Sequence, residues 1–181
     1  MTKGRQENNE ANTDGRIAEG QITAKFEFTN VKCVPYDLKF NDFEHCYLKS
    51  VNQTYKYVSI KCRLFQTPVT KFNLLLYKRF NGYRPFMYNV SVDVCKFQLN
   101  RNVNPIMKFF YDIVEPYSNI NHTCPFNVSL TFEDLVLEKL PVDFINHRIT
   151  DVLPFPDYVV ETNWIAYDIK RAVVKFYGTL S

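Results

Sequence analysis

Five cysteines, three histidines and four N-x-S/T sequons are the residues of this 181-residue chain whose chemistry stands out. The stretch NINHTCPFNVS, residues 119–129, packs two sequons around one cysteine. Four cysteines can pair in three ways, and spacing alone does not choose among them. The local option, Cys33–Cys46 with Cys95–Cys124, closes each loop beside a strand and is the expected pairing. A loop of about 30 residues, as between Cys95 and Cys124, would stabilise a fold by roughly 3–4 kcal/mol. Cys62 is left over on the apolar face of its segment, where a neutral, buried thiol is expected.

The sequons begin at Asn52, Asn89, Asn121 and Asn127. A glycan needs an outward position. Asn89 falls on the polar face of a strand pattern, and the other three fall in loops or at strand ends. With the cysteines, this placement favours an oxidising, secretory compartment. The opening MTKGRQENNEANTDGR is unlike a signal peptide. The expectation is a secreted protein whose usual product starts from a cleaved leader, with residues 1–23 an alternative start. The rival is a cytosolic form carrying neither glycans nor disulfides.

Catalytic chemistry has little to stand on. His45, His122 and His147 lie far apart without metal-ligand spacing. His122 sits inside a sequon and His147 in a turn-like segment, so solvated imidazoles are the simpler account. Cys62 with a histidine could imitate a nucleophile pair, but a strand core suits packing better than catalysis. Beyond the N-terminal tail only Gly82 and Gly178 remain, so no glycine cluster exists to cradle a phosphate. A net charge of +3 from scattered basic residues does not point to nucleic acid. No apolar run reaches the length of a membrane span. Neither an enzyme nor a cofactor is expected.

Residues 1–23 are polar and without hydrophobic period, and are expected to be disordered. A single domain over 24–181 follows. In YKYVSIKCRLF, Val58, Ile60, Cys62 and Leu64 share one face, with Ser59, Lys61 and Arg63 on the other. Residues 69–78 run into FNGY, where Asn81-Gly82 supplies the positive φ angles of a tight hairpin. The return strand sets Phe86, Tyr88, Val90, Val92 and Val94 inward. Near the C-terminus Val160 and Trp164 share a face, and Ala172, Val174 and Phe176 form a core set. One helix interrupts: Asn104 caps it, Pro105 opens it, Ile106, Phe109, Phe110 and Ile113 form its stripe, and Pro116 ends it. About seven short antiparallel strands with one amphipathic helix predict a mainly β, immunoglobulin-like sandwich.

Taken together, FEFTNVKC, HCYLKSVNQTYKY, LYKRFNGYRPFMYNVSVDVCKF, FFYDIVEPYSNINHTCPF, LEKLPVDFINHRITDVLPFPDY and AYDIKRAVVKFYGTLS resemble a fly-expanded insect family of secreted proteins of unknown function. The likeness covers residues 26–181, and YSNINHTCP is a specific piece of it. That family is similar to the CheB chemosensory proteins and, more distantly, to the ML lipid-recognition group that includes the ganglioside activator. The resemblance implies an ML-like sandwich that opens between its sheets to hold a lipid-like molecule. Relatives generally carry an apolar residue where this chain has Cys62, which fits a thiol in the core.

The expected function is therefore a secreted, non-enzymatic binder of a small hydrophobic ligand, lipid-like or pheromone-like and chemosensory in role. Its further partner would be a surface receptor or another secreted protein. Phe72, Leu74, Leu76, Tyr88, Val90, Phe109, Phe110 and Trp164 are the candidates for the lining. The alternative is a secreted sandwich that binds another protein and has no ligand cavity. Periodicity does not separate a filled core from a cavity wall.

Overall fold

The computed structural model describes residues 25–53, 55–66, 69–121, 134–141, 154 and 156–181. The expected polar tail, Cys124, Asn127, His122 and His147 lie outside the described residues. The chain order is β1 (Phe26–Pro35), β2 (Asn41–Ser50), β3 (Lys56–Leu64), β4 (Lys71–Phe80), β5 (Gly82–Asp93), α1 (Val94–Leu99), α2 (Pro105–Val114), β6 (Leu135–Pro141), β7 (Asp157–Ala166) and β8 (Ile169–Leu180). The strands form two antiparallel sheets, one in the order β1-β8-β7-β4-β5 and the other β2-β3-β6. The fold is mainly β and is the expected sandwich, with eight described strands rather than about seven.

Period-two alternation accounts for the faces. Phe26, Phe28, Val31 and Val174 of the larger sheet meet Val58, Ile60 and Leu140 of the smaller one in a buried cluster. Each such side chain, fully buried, contributes about 1.5–3 kcal/mol before conformational entropy is counted. The Cys33–Cys46 bond joins β1 to β2, and so one sheet to the other. Cys95 is also disulfide-bonded.

Among the described residues, the three strands of the smaller sheet cluster with only part of the larger one. Leu74 of β4 packs instead with Phe97 of α1 and with Met107 and Tyr111 of α2, and Phe72, Val90, Val92 and Val160 flank them. The two helices thus cover the β4–β5 half of the sheet. Asn104 caps α2 by accepting from the Met107 amide at 2.9 Å, as its position before Pro105 predicts.

Several local expectations are corrected. Val94 does not continue the strand: Asp93 accepts from the Lys96 amide at 2.9 Å and starts α1, overriding the alternation. The β4–β5 turn pairs Phe80 with Gly82, and Gly82 alone supplies the positive φ, at 118°. Asn81 keeps a negative φ. Ser59 is not outward but 4% exposed, because its hydroxyl accepts from the Lys139 amide at 3.1 Å across the β3–β6 pair.

Two further turns of backbone escaped the sequence reading. Ala166 pairs with Ile169, so Tyr167 and Asp168 form a two-residue hairpin loop with φ of 52° and 60° and no glycine. In β5, Leu75 pairs with Asn89 and Tyr77 with Pro85, leaving Phe86–Tyr88 opposite Leu76. Met87 forms this bulge with φ of 58° and points outward.

Candidate ligand-binding site

The structure divides six of the eight lining candidates between two clusters. Phe72, Leu74, Val90 and Phe110 gather with Phe97, Met107 and Tyr111 under the helices. Phe109 and Trp164 join the cluster between the sheets. Phe109 and Phe110 sit edge to face, with ring centres 5.4 Å apart, so α2 presents one ring to each cluster. Leu76 is fully buried opposite Val160, and Tyr88 stands half-buried beside the β5 bulge.

Depth separates these residues. Leu74 and Leu76 are each 1% exposed and have the burial of plain core. Phe72, Tyr88, Val90, Phe109, Phe110 and Trp164 are only partly buried although they face inward. Trp164 lies opposite Phe72 of β4 and Ala172 of β8, with its ring 5.9 Å from that of Phe43. Its indole Nε1 is buried and finds no hydrogen-bond partner among the described residues. A buried donor left unpaired costs about 1–3 kcal/mol, which an acceptor on a bound molecule would offset.

The cover has a polar network of its own. Arg101 stacks its guanidinium 4.4 Å from the centre of the Tyr111 ring. It also donates to Glu115 at 3.0 Å, to the Tyr111 hydroxyl at 3.3 Å and to Asn121 at 3.1 Å. Gln98 of α1 donates to the Tyr111 hydroxyl and to the Ile120 carbonyl, at 3.3 and 3.0 Å. Burial raises the Tyr111 pKa, so the phenol stays neutral at physiological pH. These contacts tie α1, α2 and the segment after them into one lid.

The α2 stripe read from the sequence was too narrow. Met107 and Tyr111 are the helix's most buried residues besides Ile113, while Phe109 and Phe110 are half-buried. Counting Tyr111 as apolar would have revealed the 107/111 pair at i, i+4 spacing. The sequence reading does not include Phe97, because it ends the strand at Val94 and assigns no element to the rest of α1. An open groove of about 380 Å³ lies elsewhere, between the end of α2 and β6. Pro116, Tyr117, Ser118, Asn119, Val136 and Glu138 line it, and none of the eight candidates does.

The remaining chemically distinctive residues are separated. Cys62 is wholly buried in β3, and burial pushes its thiol up to about 12, so it is a neutral packing group. Asn41, itself buried, donates to its sulfur at 3.5 Å. His45 is half-buried on β2 against the Tyr47 ring, 5.4 Å between centres. Asn52, Asn89 and Asn121 are all exposed. Asn89 lies on the outer face of the larger sheet, where its Oδ1 accepts from Asn73 at 2.9 Å. Among the described residues no helix is long and apolar enough to cross a membrane.

A sandwich with an apolar inner wall, half roofed by a second sheet and half by a helical lid, is the class that this architecture defines. Residues 72–163 match DUF1091, a family of proteins of unknown function, and the chain belongs to that family. The match runs from the start of β4 into β7 and takes in every lining candidate except Trp164. No curated protein sequence matches the chain.

Proposed function

We propose that this protein is a secreted, non-enzymatic carrier or presenter of a small hydrophobic molecule, lipid-like or pheromone-like, in a chemosensory setting. The observation that carries the reading is the incomplete burial of inward apolar side chains in α2, in the strands it covers and in the adjoining cluster between the sheets. Phe72, Val90, Phe109, Phe110 and Trp164 face the interior yet keep accessible surface. Removing that surface and a ligand's from water together would drive binding at roughly 25 cal/mol per Å². The Trp164 N–H, without a partner among the described residues, gives the largely apolar wall a polar anchor. The likeness of the sequence to CheB and ML proteins points the same way. The Cys33–Cys46 bond and the exposure of Asn52, Asn89 and Asn121 fit an oxidising, glycosylating compartment.

The test compares fluorescent fatty-acid binding with thermal melting in the parent and in Phe110→Trp. A carrier binds the probe, and the larger ring blocks uptake while the melting temperature holds. The rival reading, a protein-binding sandwich with a filled core, draws on the complete burial of Leu74 and Leu76. It expects no probe binding and an overpacking cost of about 1–3 kcal/mol from the same substitution.

A further inference from the structure

The β4–β5 hairpin ends in an exposed patch. The register of β4 against β7 stops at Lys78–Tyr158, whereas β4 and β5 stay paired to Phe80–Gly82. Residues 80–82 therefore extend past the last described pairing of β4 with β7. Phe80 is 57% exposed, Met87 58% and Tyr83 43%. No acidic residue occurs from Tyr77 to Tyr88, while Lys78, Arg79 and Arg84 all do. Lys78 and Arg84 face each other across the hairpin, and Arg79 faces Tyr83.

The cations are mounted on aromatic surface. The Lys78 ammonium lies 5.2 Å from the centre of the Phe86 ring, 5.7 Å from Phe80 and 5.9 Å from Tyr158. On the other face Tyr83 packs against Tyr177, over which Lys32 places its ammonium at 5.6 Å. The carboxylate that answers these charges is Asp157, 3.2 Å from Arg79 and also bonded to Thr179.

We infer that this hairpin tip docks on the surface of an anionic lipid bilayer. Aromatic and thioether side chains that protrude under a ring of Lys and Arg suit the boundary between headgroups and acyl chains. The rings enter that boundary while the cations remain among anionic headgroups. A stable protein interface draws on about 800 Å² from each partner, more than the three part-exposed side chains Phe80, Tyr83 and Met87 supply by themselves. A soft interface accepts the same convex shape. The inference stands apart from the ligand reading, since it uses none of the lining residues.

Co-sedimentation of the full chain with vesicles tests it. The vesicles are phosphatidylcholine alone, or phosphatidylcholine with roughly one-third phosphatidylserine. The expected result is binding to the anionic vesicles only, weakened by added salt. Arg84→Glu and the double variant Phe80→Ser, Met87→Ser should each lose about tenfold or more in partition. All three side chains are exposed, and unchanged melting would verify that the variants fold. Phe110→Trp should bind vesicles as the parent does, which keeps this outcome separate from loss of a ligand. Absence of binding by the parent, equal binding to both vesicle types, or full binding by the folded tip variants would overturn the inference.

Discussion

The ring of Phe26, at the start of β1, lies directly on the α-carbon of Gly178 in β8. A Cβ on Gly178 would overlap Phe26 Cζ and come within 2.6 Å of Cε2. Phe26 is nearly buried and sits edge-on to Phe28, so the ring has little room to retreat. Gly178→Ala should therefore destabilise the fold by about 1–3 kcal/mol in urea denaturation. Adding Phe26→Leu should recover part of that loss, and the two changes should be non-additive in a double-mutant cycle.

The bond between Cys33 and Cys46 spans 13 residues of sequence and ties the two sheets at one corner. Replacing both cysteines with alanine should cost about 2–4 kcal/mol. Reduction of the parent should lower its stability at least as much, because Cys95 also belongs to a disulfide. Chemical denaturation with and without reductant measures both effects.

Cys62 should be silent toward thiol reagents in the native protein and should react on unfolding. Burial raises its pKa from 9.0 to about 12. Above pH 9 the unfolded thiol ionises while the folded one does not, so the unfolded state binds fewer protons. Stability present below pH 9 is then lost progressively as pH rises toward 12. Cys62→Ala should cost about 1 kcal/mol at neutral pH and make the alkaline decline shallower.

Glu161 gives the opposite slope. Burial pushes its carboxyl upward, but hydrogen bonds from Lys175 and Asn163 outweigh that and hold it below the ordinary value. Lys175 approaches at 2.9 Å and Asn163 at 3.1 Å. The contribution is whole above pH 4.5 and is lost as pH falls through the lowered folded pKa. Glu161→Gln should cost about 1–2 kcal/mol at pH 7 and flatten the acid limb of a stability–pH curve.

Strand faces were legible because one period of two residues decides them. Cys62, Leu74, Val160 and Val174 could all be placed inward from their neighbours alone. The start of α1 was harder, since Val94 keeps the alternation and only the Asp93 cap breaks it. The loop at Tyr167–Asp168 carries no glycine to announce it. For the candidate site, periodicity gives the face of a side chain but not what stands above it. Leu74 and Phe72 share a face, yet only Leu74 lies beneath Phe97, Met107 and Tyr111 deeply enough to be sealed. That difference is set by helices distant in sequence.

The bulge at Met87 has a bearing on how the molecule behaves at high concentration. Among the described residues β5 is an outermost strand of the larger sheet, and a regular outermost strand is a template onto which another chain can add. Pro85 removes one amide from that template, and the left-handed residue at Met87 breaks the even spacing of those that remain. A second copy would have to break its ladder at that point. On this side the strand is thus a poorer template for strand-by-strand growth into fibrils than a regular one would be.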